Sequence, residues 1–491
     1  MPRTRAKIPY SHEKIRIVCR RNRAPGRLRG GRVEVIAERR ITWSLWCGTG
    51  CGPILFQKKK GARPSPSETF RQLSREFLVL LLPDSALDIP MKLSSVPLLL
   101  TSALLLHSSQ AQETPESYPS NGALAAQLQP YVDKHIIPGA VVLVASKDKI
   151  LDLESVGYAN IAAQKPMPPD GVFEIASMSK PVCATAVMML AQEGKLSVDD
   201  PVEKYLPEFK GQMYIAEHDA NHVLLKKPTH PVLIRNLLTH TSGLPYSSLV
   251  ERPNIPHVAP ESWPLDSLPL ETAVRSYAMT PLMFDPDAKY SYASAGINTA
   301  ARIVEVVSGM PYAQFLEERI FQPLGMKDTT FWPNEEEIAR HPSFYKPGPG
   351  RIGLIEEPTV GRLTYPLSDR AHRYPIPGSG LFSTAVDMAH FCQMYLNNGV
   401  YDGKTLLTPA SVQALTTKET PPNVKTQYGY GWATDHDTYS HGGSFHTFMH
   451  VWPQKGLITI FMTQIESNWP KGGEVIIPHF QDLALSTFKQ Q

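Results

Sequence analysis

No Gly-x-Ser-x-Gly occurs anywhere in the 491 residues, so the sharp strand-to-helix elbow that presents the serine of an α/β-hydrolase is excluded. Cysteine is scarce: Cys19, Cys47 and Cys51 lie upstream, and the expected mature chain keeps only Cys183 and Cys392, neither with metal-ligand spacing. Two cysteines leave that mature chain no disulfide scaffold and no thiolate metal cluster. Cys183 and Cys392 sit in helix-like apolar runs and are expected as buried free thiols, with a disulfide open to them in an oxidising compartment. No apolar run reaches the roughly 20 residues of a spanning helix. Net charge is nearly absent too, at +3.

That small charge hides a split. Residues 1–90 carry 19 Lys and Arg against 7 Asp and Glu, and the remainder carries 30 against 39. The boundary falls at Met91. Lys92, an apolar run from Val96 to Leu106 and Ser109-Gln110-Ala111 then follow in the order of a secretory signal peptide. The expectation is that translation starts at Met91 and that residues 1–90 are a disordered, non-native upstream extension. Residues 91–111 are then a signal peptide, 112–121 a linker and 122–490 the functional domain. The basic clusters from Arg20 to Arg29 and from Lys58 to Lys60 resemble a nucleic-acid-binding arm. The artefact reading outranks it, so neither a nucleic-acid partner nor a stable membrane span after signal cleavage is expected.

The domain is organised around Phe173 to Leu190, an apolar helix that Gly194 stops. Ser177 and Lys180 stand three residues apart at its start, on one helical face. A serine hydroxyl needs a neighbour to take its proton, and a lysine serves only if its pKa falls from roughly 10.4. Pro181 is tolerable there because first-turn amides are unpaired. Upstream, a helix is expected over 123–135, and two β-rich runs, 139–146 and 150–157, read as a hairpin.

Downstream, 196–209 reads as an irregular connection and 211–230 as a solvated insertion. His218, His222 and His230 in that insertion are expected to hold no metal. Ile234 to Leu244 forms a short helix and glycine turn carrying His240, which is expected to pack for structure rather than act as a general base. Tyr292 lies in a small-residue loop before a helix over 298–308. Residues 330–376 read as long loops framing a site, followed by a helix over 385–397. Strands are expected at 428–433, 447–452 and 457–463, with a final helix over 473–488. Ser440-His441-Gly442-Gly443-Ser444 sits between the first two of these strands, where consecutive glycines admit a close approach to the backbone.

Three stretches in order resemble the penicillin-recognising serine hydrolases, that is, class C β-lactamases, D,D-carboxypeptidases and family VIII carboxylesterases. They are Ser177-Met178-Ser179-Lys180 for S-x-x-K, Tyr292-Ala293-Ser294 in place of Y-x-N, and His441-Gly442-Gly443 in place of K-T-G. The resemblance implies an α+β fold of the β-lactamase/transpeptidase type. Its five-stranded antiparallel sheet is built from both chain ends, with flanking helices and a mostly helical subdomain. It also implies that Ser177 is acylated, that Lys180 and Tyr292 share its proton, and that the amides of Ser177 and Ser444 form the oxyanion hole. His441, Gly442, Gly443 and Ser294 then line the substrate site.

His441, Gly442 and Ser294 depart from the family pattern in a way that weakens carboxylate recognition. The expected substrate is accordingly a small uncharged ester, handled without cofactor or metal. A D,D-carboxypeptidase or weak β-lactamase on peptide-like, cell-wall substrates is the alternative, and an acylated sensor or a decayed pseudoenzyme is the non-enzymatic one. His441 is expected to impose a pH dependence between about pH 5.5 and 7.5.

Overall fold

A computed structural model describes residues 15–19, 31–37, 41–47, 117–246, 268–357, 366–466 and 468–488. The signal-peptide reading of 91–111 lies outside them. Two units are distinguished, 1–109 and 110–491. In the first, three short strands are described. Ile15–Cys19, Gly31–Ala37 and Ile41–Cys47 form a three-stranded antiparallel meander. Their β-branched and aromatic content carries a strand signal that the charge split had overshadowed.

The second unit is built on one antiparallel sheet. Its strands in chain order are β1 (Gly139–Ser146), β2 (Ile150–Asn160), β3 (Lys165–Pro166), β4 (Ala433–Asp435), β5 (Thr438–Gly442), β6 (Phe448–Trp452) and β7 (Leu457–Met462). The spatial order is β4-β5-β6-β7-β1-β2-β3. Seven strands therefore replace the expected five, because two short edge pieces of three and two residues extend a five-stranded centre. The two chain ends meet where β7 pairs with β1, from Leu457 opposite Ser146 to Met462 opposite Val141.

β1 alternates between two cores. Val141, Leu143 and Ala145 point into the larger one, whereas Ala140, Val142 and Val144 pack with α1 (Ala123–Asp133) and the C-terminal helix Ile476–Thr487. A strand covered on both faces reads as a continuous apolar run, as this one does. On the larger side lies α2 (Ser179–Gln192), in which Ser179 to Leu190 are all buried, packed against α3 (Ser294–Ser308). Cys183 and Cys392 are free and buried, as expected.

Several expected elements shift. Residues 428–432 form a turn rather than a strand, with Gly429 N–H donating to Trp432 O at 2.9 Å, and only Ala433 of the expected run enters the sheet. Gly431, at φ +79°, lies so close to α2 that a Cβ there would meet Ala184, and this close approach removes the segment from the sheet. The solvated 211–230 insertion contains a hairpin of Tyr214–His218 and Val223–Lys226. His222 pairs there with Asp219, while His230 reaches Asp287. Residues 330–376 also carry a helix, Glu335–Arg340, started by a capping box between Asn334 and Glu337. A hairpin of Phe344–Pro347 and Leu354–Glu357 follows it.

Beneath α1, β2 places Asp152 and Glu154 on one face, 1 % and 3 % exposed. Glu154 Oε2 accepts Ala125 N–H at 2.5 Å, an anion at the helix N-terminus. Burial first, then the neighbouring Glu154, raises the Asp152 pKa to about 6. The folded state therefore holds this proton more tightly than the unfolded chain. The resulting stability is full below pH 3.8 and is lost as pH rises through about 6. Asp152→Asn is expected to raise Tm at pH 7.5 and to flatten the decline over that interval, as read by thermal melts across pH.

Candidate active site

The Ser177 turn is a single 3-10 turn, Ala176–Met178, preceding α2. Ala176 sits at φ +43°, an uncommon conformation for a residue with a side chain. Ser179 braces it by donating to Ala176 O (2.7 Å) while accepting Leu381 N–H (3.3 Å). Ser177 is thus held at the helix entrance, half-buried, with Lys180 fully enclosed in the first turn behind it.

Lys180 Nζ lies 3.0 Å from Ser177 Oγ and donates to Gly378 O at 2.7 Å. Gly378 is fixed in turn by its N–H to Asn298 Oδ1 (3.1 Å), and Asn298 donates to the Tyr277 hydroxyl (3.0 Å). Among the described residues no carboxylate pairs with Lys180. Burial consequently lowers its pKa to about 7, and an amine poised there is able to accept a hydroxyl proton.

Tyr292 brings its ring under Lys180, 4.7 Å from Nζ to the centroid, and Ser177 lies near its hydroxyl. Burial raises this phenol well above its usual range. Tyr292 is therefore held protonated at rest. Ser294 is not in the loop but opens α3, which starts one turn earlier than expected, and it lies against Gly378.

His441 on β5 is buried, and both of its ring nitrogens are engaged. Nδ1 donates to Gly442 O (2.9 Å), so Nε2 is the lone-pair nitrogen and accepts the Tyr428 hydroxyl (2.9 Å). Burial, reinforced by Lys180, drives its pKa down to about 3. The expected titration of His441 between pH 5.5 and 7.5 is thereby corrected: beside Ser177, the group brought to about 7 is Lys180. Beyond β5, Gly443 N–H donates to Thr447 O (2.7 Å) and Thr447 Oγ1 to Ile175 O (3.2 Å). This strap presses the Ser444 turn against the Ser177 turn, and a Cβ at Gly443 would collide with Ile175 O.

A cavity of about 320 Å³ adjoins the cluster, walled by Tyr290, Tyr292, Gln427, Tyr428, His441 and Phe448 among others, and among the described residues no charged side chain lines it. Tyr428 and Gly378 were not singled out in the sequence. Tyr428 lay in the misassigned strand, and Gly378 contributes only a carbonyl, which no side-chain motif reveals.

Residues 124–474 match the family model described as Beta-lactamase. The chain belongs to that family. It is a serine hydrolase with the β-lactamase/transpeptidase-like fold. Esterase EstB of Burkholderia gladioli is 31 % identical over 307 residues, covering 59 % of this chain and 74 % of that protein. Penicillin-binding protein 4* of Bacillus subtilis is 32 % identical over 198 residues, covering 40 % of this chain and 38 % of the other. Among solved structures, simvastatin synthase LovD of Aspergillus terreus superposes with a TM-score of 0.61 at 19 % identity. That match covers 75 % of this chain and 98 % of LovD, and it speaks to the fold alone.

Proposed function

We propose that this serine hydrolase is a secreted esterase that cleaves small uncharged esters through an acyl-enzyme on Ser177. The observation that carries this reading is the neutrality of the cleft. His441 spends both nitrogens on protein partners, Gly442 has no hydroxyl to offer, and among the described residues no charged side chain walls the adjoining cavity. Lys180, the cation beside Ser177, is committed to Ser177 Oγ and Gly378 O, so a substrate carboxylate would enter such a site at a cost in desolvation. The likeness to Esterase EstB supports the same reading. Secretion rests on the signal-like segment 91–111.

In this mechanism neutral Lys180 takes the Ser177 proton as Oγ attacks the ester carbonyl. The tetrahedral oxyanion is held by the amides of Ser177 and Ser444. The leaving alkoxide takes the Tyr292 proton, and the Lys180 ammonium restores it to the phenolate. Water then gives a proton to Lys180, its hydroxide attacks the acyl carbonyl, and Ser177 leaves with that proton returned.

The likeness to a penicillin-binding protein favours a second reading, in which a D,D-carboxypeptidase or weak β-lactamase acts on cell-wall-like substrates. Turnover of p-nitrophenyl butyrate against nitrocefin separates the two. Ester turnover with little nitrocefin cleavage is expected, and rapid nitrocefin hydrolysis would move the assignment to β-lactam chemistry.

A further inference from the structure

His240 sits in the left-handed region at φ +59° and is 2 % exposed. A histidine pays for that conformation, so the surroundings must enforce it. They do so through side chains and one backbone bond. Asn236 donates to Thr241 Oγ1 (3.1 Å) and Asp287 Oδ1 (2.6 Å), Thr239 and Thr241 share a hydroxyl bond (2.9 Å), and Asp287 N–H returns to Thr241 O (3.0 Å).

The conformation places both acceptors of His240 on the Tyr292 loop. Its carbonyl accepts Ser291 N–H at 2.9 Å, and its Nδ1 accepts Ala293 N–H at 3.2 Å. One residue therefore grips the peptide groups on both sides of Tyr292. Its ring also lies 4.4 Å from the Tyr292 ring, with Tyr428 at 5.0 Å and Tyr290 at 5.7 Å. Because Nδ1 is the acceptor, the proton is on Nε2, which has no hydrogen-bond partner among the described residues. Burial, with Lys180 and His441 nearby, keeps the ring neutral and so keeps that acceptor in place.

We propose that His240 is a positioning residue for Tyr292, holding its hydroxyl where it delivers a proton to the leaving alcohol. A histidine packed only for structure would tie down scaffold, whereas both of these bonds end on the neighbours of one reactive side chain. The inference rests on the esterase reading above.

The test compares two variants that both tolerate the left-handed conformation. His240→Asn retains an acceptor near the Nδ1 position, and His240→Gly removes it. Each is assayed on ethyl butyrate, whose alkoxide needs protonation, and on p-nitrophenyl butyrate, whose phenolate leaves without it. His240→Gly is expected to lower kcat on ethyl butyrate by about 10²-fold and on p-nitrophenyl butyrate by less than about tenfold, with KM little changed. His240→Asn is expected to recover most of the loss. In a Tyr292→Phe background, His240→Gly is expected to add little further loss. Should the glycine variant fail to fold, His240→Ala takes its place.

Equal losses on the two esters, or an asparagine variant as impaired as the glycine one, would overturn the proposal. Wild-type protein inactive on both esters would instead sink the esterase reading, and the proposal with it.

Discussion

Lys180→Met is expected to lower kcat on p-nitrophenyl butyrate by about 10²–10⁴-fold, the usual size of a lost general base. Methionine fills the same buried slot, so the loss reflects chemistry and not collapse of the α2 entrance. Two signatures accompany it. Wild-type activity rises with pH through about 7 as Lys180 sheds its proton, and the variant lacks that limb. Stability also changes in a defined direction. The folded protein holds Lys180 neutral above about 7, while the unfolded chain keeps it protonated up to about 10.5. Wild-type stability therefore rises with pH across that window, and Lys180→Met removes this contribution. A pH–rate profile and melts at two pH values read both, and a variant retaining the acid limb would assign it to another group.

Tyr292→Phe is expected to cost about 10²–10⁴-fold in kcat, with the larger loss on esters of poor leaving groups. The ring remains to pack against His240 and beneath Lys180, so KM and Tm are expected to stay near wild type. Only the proton is removed. Because burial holds this phenol well above its ordinary range, no basic limb from Tyr292 is expected at accessible pH. Near-wild-type turnover of ethyl butyrate by Tyr292→Phe would remove the tyrosine from the mechanism.

Local signals were the legible ones. Ser177 and Lys180 are separated by less than one helical turn, so a spacing argument reaches them. The run from Gly139 to Ser146 announces a strand with two covered faces. What escaped depends on long-range approach. Gly378 O meets Lys180 across 198 positions, and Tyr428 meets His441 only because the 428–432 turn folds back on α2. That turn looked like a strand because its aromatic residues favour one, while the glycines between them serve packing. The His441 titration failed for a related reason. Its ordinary pKa belongs to an exposed imidazole, and burial is a property of the fold, not of the residue. By contrast, the capping box at Asn334 was visible in the sequence and overlooked amid proline and charge.

The most direct measurement of the central claim is intact-protein mass spectrometry within seconds of mixing the protein with p-nitrophenyl butyrate. It is run alongside Ser177→Ala and followed by peptide mapping. The account predicts a transient butyryl adduct on Ser177 in the wild type that decays as p-nitrophenol accumulates, and none in Ser177→Ala. Undiminished turnover by Ser177→Ala, or an adduct mapped to another residue, would contradict it.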